Sequence, residues 1–114
     1  MNSHPIGSLD REAALARVGG DDELLKEIAI LFLDNYQAWL AELRQAAASK
    51  DPDGVQRTAH GLKGSVANFG ARDAVEAALK LESLGRSGDL TGVSESLRAL
   101  EAALETLRGD LESL

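Results

Sequence analysis

Between residues 25 and 47 the apolar side chains Leu25, Ala29, Phe32, Tyr36, Leu40, Leu43 and Ala47 recur at steps of three and four. That spacing draws one continuous stripe down an α-helix, whereas a strand, alternating every second residue, would scatter the same side chains over both faces. Ile28, Leu31 and Trp39 widen the stripe. A stripe of that width is buried on more than one side, or leaves part of itself bare for a partner. Prolines are confined to positions 5 and 52, outside the apolar-periodic stretches, and no run is both β-branched and alternating. The chain is therefore expected to be all helix.

Start and stop signals divide it into five segments. A short first helix fits Leu9 to Val18, capped by Ser8 or Asp10 and stopped by Gly19-Gly20. The second opens at Asp21-Asp22, whose carboxylates suit the positive end of the helix dipole, and runs to about Ser49. A third, capped by Asp51 or Asp53 with Pro52 in its first turn, runs to about Phe69 before Gly70. The fourth spans about Arg72 to Leu84, with Ala74, Ala77, Ala78 and Leu81 inward, and breaks at Gly85 and Gly88. The fifth starts near Thr91 and carries Val93, Leu97, Leu100, Leu104, Leu107 and Leu111 at helical steps. Four long amphipathic helices on short loops predict an antiparallel four-helix bundle with a short extra N-terminal helix across one end.

Several function classes drop out on composition. A chain of 114 residues is one domain, assigned here to residues 8–114, and the first seven (MNSHPIG, including His4) read as a disordered leader or expression scar. The absence of cysteine excludes disulfides, thiolate metal sites and cysteine nucleophiles. A formal charge of -7 disfavours nucleic acid. The longest apolar run, Ile28 to Leu33, falls far short of the roughly 20 residues of a membrane span. With no signal-peptide pattern at the N-terminus, the expectation is a cytoplasmic protein without membrane contact. Two histidines so far apart make no metal site, so neither metal nor cofactor is expected. No sustained heptad seam argues for a dimer, and a monomer is expected.

The third helix has two contrasting sides. At about 100° per residue, and with Val55 as zero, Ala59, Leu62, Val66 and Phe69 fall within about 40° and define a core face. His60 lies about 140° away and points to solvent, with Gln56, Lys63, Gly64 and Ala67 as its neighbours at one turn. Gly61 and Gly64 each cost about 1 kcal/mol against alanine inside a helix, which asks for a reason. Gly64 supplies one by removing the side chain that would crowd the imidazole, so that a partner's surface can come close. Lys63 puts an ammonium within reach of any anion attached to His60.

These residues carry a family resemblance. His60-Gly61-Leu62-Lys63-Gly64-Ser65, preceded by Ala59 and followed by Gly70-Ala71, resembles the AHxLKGS...GA motif of histidine-containing phosphotransfer (HPt) domains. Leu81-Glu82 with Gly85-Arg86-Ser87-Gly88-Asp89-Leu90 is similar to the family's LE..GR.GDL segment, with Glu82 standing where some members have Gln. The resemblance implies a four-helix bundle with the histidine exposed mid-helix, and a phosphorelay role. In that role the neutral imidazole of His60 attacks, through Nε2, the aspartyl phosphate of a response-regulator receiver domain and later passes the phosphoryl group to another receiver. Imidazole titrates near pH ~6.5, so no separate base is needed to make it a nucleophile. Lys63 would share the charge stabilisation, and the receiver, whether freestanding or part of a hybrid sensor kinase, would bring the metal ion and an acidic pocket. No GxxxxGK[ST] loop is present, so the chain is not expected to make phosphohistidine from ATP.

Each residue also has a plainer reading. A histidine on a polar helix face is ordinarily just solvated, and Lys63, Arg57 and Gln56 would be surface groups unless a phosphate or a receiver's acidic surface engages them. Gly61 is either a tolerated surface glycine or part of the approach. Glu82 is either a surface acid or the acceptor for His60 Nδ1 that fixes the tautomer with Nε2 free. Trp39 and Tyr36 are assigned to the core, and Arg86 to capping carbonyls at the end of the fourth helix. The competing function is a helical adaptor that binds partner proteins without being phosphorylated.

Overall fold

The computed structural model describes residues 9–114. The leader, and Ser8 as a candidate cap, lie outside the described residues. Five helices follow: α1 (Arg11–Arg17), α2 (Asp22–Ala48), α3 (Pro52–Ala67), α4 (Arg72–Ser87) and α5 (Val93–Glu112). No strand occurs among the described residues. Aspartates start three of the helices. Asp10, Asp21 and Asp51, each with extended backbone, accept hydrogen bonds from the amides of Ala13, Leu24 and Gly54, which satisfies a donor that a helix start leaves unpaired. Pro52 occupies the first turn of α3, where its missing N–H costs nothing.

The four long helices close a ring in which α3 packs against α2 and α4, and α5 against α4 and α2. One apolar core runs through it, built on Leu25, Phe32, Leu43, Leu62, Val66, Phe69, Leu81, Leu100, Leu104 and Leu107. Phe32 stacks on Tyr36 at 5.2 Å between centroids and meets the edge of Phe69 at 5.5 Å, locking α2 to the end of α3. Tyr36 is core, as expected. Helix α1 is pinned by two backbone amides, Asp10 N–H to the Phe69 carbonyl at 2.9 Å and Leu9 N–H to Asp110 Oδ2 at 3.1 Å.

Three expectations need correction. Ala46 takes the buried place expected of Ala47, which is half-buried. Leu31 is 61% exposed and Trp39 only half-buried, because no helix covers that flank of α2. Helix α4 does not break at Gly85; it runs on to Ser87 and turns off at Gly88, whose φ of 79° is left-handed. Gly85 is instead the point where α3 and α4 touch. A Cβ there would lie 2.5 Å from the Gln56 nitrogen and 2.6 Å from the Pro52 carbonyl, so only glycine permits that approach.

Candidate functional site

Close contact between α3 and α4 decides what His60 meets. Val55, Ala59, Leu62 and Val66 are buried on one side of α3, and the His60 side chain on the other is 68% exposed. From α4, Glu82 falls in line with Ala74, Ala78 and Gly85 on the face turned toward the neighbouring helices, and its side chain is only 4% exposed. A carboxylate in that position needs partners. It has three: Lys63 Nζ donates to Oε1 at 2.6 Å, His60 Nδ1 lies 2.8 Å from Oε2, and Arg86 Nη2 donates to Oε2 at 3.1 Å.

The Lys63 hydrogen bond, opposed by burial and assisted by His60, holds the Glu82 carboxyl below the usual carboxylate range. An ionised carboxylate can only accept, so Nδ1 of His60 is the donor, and in the neutral ring the lone pair lies on Nε2, which has no protein partner among the described residues. The result is an exposed imidazole with one fixed tautomer.

Around the ring, Asp53, Gln56, Arg57, His60, Glu82 and Arg86 line an open cleft between α3 and α4. Lys63 stands outside that lining, its ammonium drawn onto Glu82 rather than free in solvent. Gly61 and Gly64 face open space, with no atom within 4 Å of where a Cβ would stand. Ala67 is half-buried on the same side as His60. On the α2 flank, Gly61 shares a second depression with Trp39, Glu42, Arg57, Thr58 and Leu62. The surface therefore stays low from His60 toward α2.

Arg86, expected to cap carbonyls at the end of α4, instead reaches back one turn to Glu82. The readable signal was the four-residue spacing of an acid and a base on one helix. Gly85, read as a break, proves to be what lets Glu82 and His60 meet. Among the described residues no group of three or more His, Asp or Glu side chains is arranged to hold a metal ion, and no helix is long and apolar enough to cross a membrane.

Comparison with known proteins bears on this arrangement. No curated protein sequence matches the chain. Among solved structures, the crystal structure of histidine-containing phosphotransfer protein B (HptB) from Pseudomonas aeruginosa PAO1 superposes with a TM-score of 0.87 at 22% identity, covering 97% of this chain and 95% of that one. The likeness shows a common fold. The family model described as Hpt domain matches residues 27–110, which takes in His60, Glu82 and all of α3 and α4. With three quarters of its length inside that match, the chain belongs to the Hpt domain family, the histidine-containing phosphotransfer domains of phosphorelay signalling.

Proposed function

We propose that His60 carries the phosphoryl group, taking it through Nε2 from the aspartyl phosphate of a receiver domain and giving it to a second receiver. One observation supports this above the others: the exposed ring donates Nδ1–H to a buried carboxylate and keeps its Nε2 lone pair toward solvent. Phosphoryl transfer is chiefly positioning and charge stabilisation. Arg57 lines the cleft beside the ring and offers positive charge to the phosphoryl group and a receiver's acidic pocket, Lys63 and Arg86 stand next to the ring on Glu82, and Gln56 lines the same cleft. Gly61, Gly64 and Ala67 keep the approach free of bulk. On this reading residues 8–114 form the phosphotransfer domain and work as a cytoplasmic monomer, with the receiver of a hybrid sensor kinase among the partners.

Mixing the chain with a phosphorylated receiver tests the assignment. Acid-labile, base-stable phosphate should appear on the wild type and not on His60→Gln, whose melting temperature should stay unchanged because the position is exposed. Label on His60→Gln would move the site elsewhere. No label on either protein would leave the adaptor function in its place.

A further inference from the structure

The Glu82 cluster is larger than fixing a tautomer requires. One neutral acceptor would orient Nδ1–H, yet this site buries a full charge and holds it ionised with Lys63 on Oε1 and Arg86 beside His60 on Oε2. What such a charge adds becomes clear in the phosphorylated state, which is where this inference rests on the reading of His60 as phosphoacceptor.

When Nε2 attacks, its lone pair forms the N–P bond. The P–O bond to the donor's aspartyl oxygen breaks, its electron pair stays on that carboxylate, and the ring gains a formal positive charge with the Nδ1 proton still in place. In the return step the acceptor receiver's aspartyl carboxylate forms a new P–O bond, the P–N bond breaks and its pair goes back to Nε2, giving neutral imidazole. Had the ring lost the Nδ1 proton in between, the leaving group would be imidazolate, a far poorer one.

We propose that Glu82 is a permanent counter-ion for the ring of His60, keeping one proton on Nδ1 through both halves of the exchange, with Lys63 and Arg86 acting through Glu82 as positioning residues. Donation from phosphorylated His60 then needs no proton delivered from outside, and it persists to higher pH than a neutral acceptor in place of Glu82 would allow. The other charged groups at the ring work within this frame. Arg57 and Asp53 from α3 line the same cleft, Lys63 from α3 and Arg86 from α4 neutralise the carboxylate, and none of the cleft's lining residues comes from α5.

Glu82→Gln is the informative variant, since its amide oxygen still accepts from Nδ1–H while the charge is gone. Wild type and variant are phosphorylated by the same phosphorylated receiver, purified, and mixed with an unphosphorylated receiver over a range of alkaline pH. Both should accept phosphate. Donation by Glu82→Gln should fall off roughly one pH unit lower, so that inside that gap it is about tenfold slower than wild type. Coincident profiles would overturn the counter-ion, whereas a wild type that takes no phosphate would instead overturn the phosphoacceptor reading. A measurement on the unaltered chain covers the case in which Glu82→Gln does not fold. Nitrogen-15 NMR of histidine-labelled, phosphorylated protein should find the Nδ1 proton retained at a pH where free Nε2-phosphohistidine has lost it, and an Nδ1 without its proton there would end the proposal.

Discussion

On α4 one carboxylate, Glu82, gathers His60, Lys63 and Arg86, and on α5 one guanidinium, Arg108, gathers Glu105 and Glu112. Each centre is followed by a glycine, Gly85 in the first case and Gly109 in the second. The resemblance ends there. The Glu82 side chain is 4% exposed and two of its partners come from another helix, while the α5 cluster is formed within one helix by side chains 35%, 61% and 53% exposed. Gly85 is pressed against the backbone of α3, and Gly109 faces open space. Both centres have shifted proton affinities. The hydrogen bond from Lys63 lowers that of Glu82, and the hydrogen bonds to Glu105 and Glu112 raise that of Arg108, which is charged at any working pH regardless. The same local chemistry, a helix-spaced ion pair beside a glycine, gains consequence only where a second helix covers it.

Four measurements probe that contrast. Gly85→Ala should have the largest effect, a loss of about 3 kcal/mol in urea unfolding, because the methyl meets backbone that cannot swing aside. Its phosphate acceptance should fall as well, since parting α3 from α4 lengthens the bond between His60 and Glu82. A stable, active Gly85→Ala would mean that α3 and α4 need no such contact.

Acid should act through Glu82 next. The folded protein holds this group below its ordinary 4.5, so the unfolded chain takes the proton first as pH falls. The stabilisation is complete above that value and is lost as pH drops through the lower, folded one. Melting temperatures recorded from neutral pH down to about 3 should fall more steeply for wild type than for Glu82→Gln. Parallel curves would place Glu82 among the surface acids.

Gly109→Ala is expected to raise stability by about 0.5–1 kcal/mol, the ordinary gain for an uncrowded helical glycine. A loss there would erase the distinction between the two glycines. Smallest of all, Arg108→Ala should leave the melting temperature within error at physiological salt, because exposed pairs of this kind are screened and hold flexible side chains at an entropic cost. A clear drop would give α5 a cluster of the same weight as that on α4.

Much of this was legible in the sequence because it depends on neighbours along the chain. The stripe from Leu25 predicts α2, and the aspartates at 21–22 and at 51 or 53 mark two helix starts, of which Asp21 and Asp51 prove to be the caps. The exposure of His60 follows from the angle between it and the core face of α3. Contacts between helices are harder to read. A glycine that stops a helix and one that lets another helix approach are the same letter, so the sequence does not distinguish the contact at Gly85 from a break. Arg86 has both a helix end and an acid one turn back within reach, and only the burial of Glu82 decides between them. The exposure of Leu31 depends likewise on which flank of α2 has no neighbour.

The pinning of α1 has a consequence for the order of assembly. The pairs α2–α3, α3–α4 and α4–α5 each join helices adjacent in sequence across short turns, so each can form early with little loop to close. The bond from Leu9 to Asp110 spans 101 residues and exists only after α5 has docked. The Leu9 bond is thus the last of these contacts to close, and its loss leaves the α3–α4 seam untouched. In amide hydrogen exchange, α1 should lose protection while the amides beneath His60 still keep theirs.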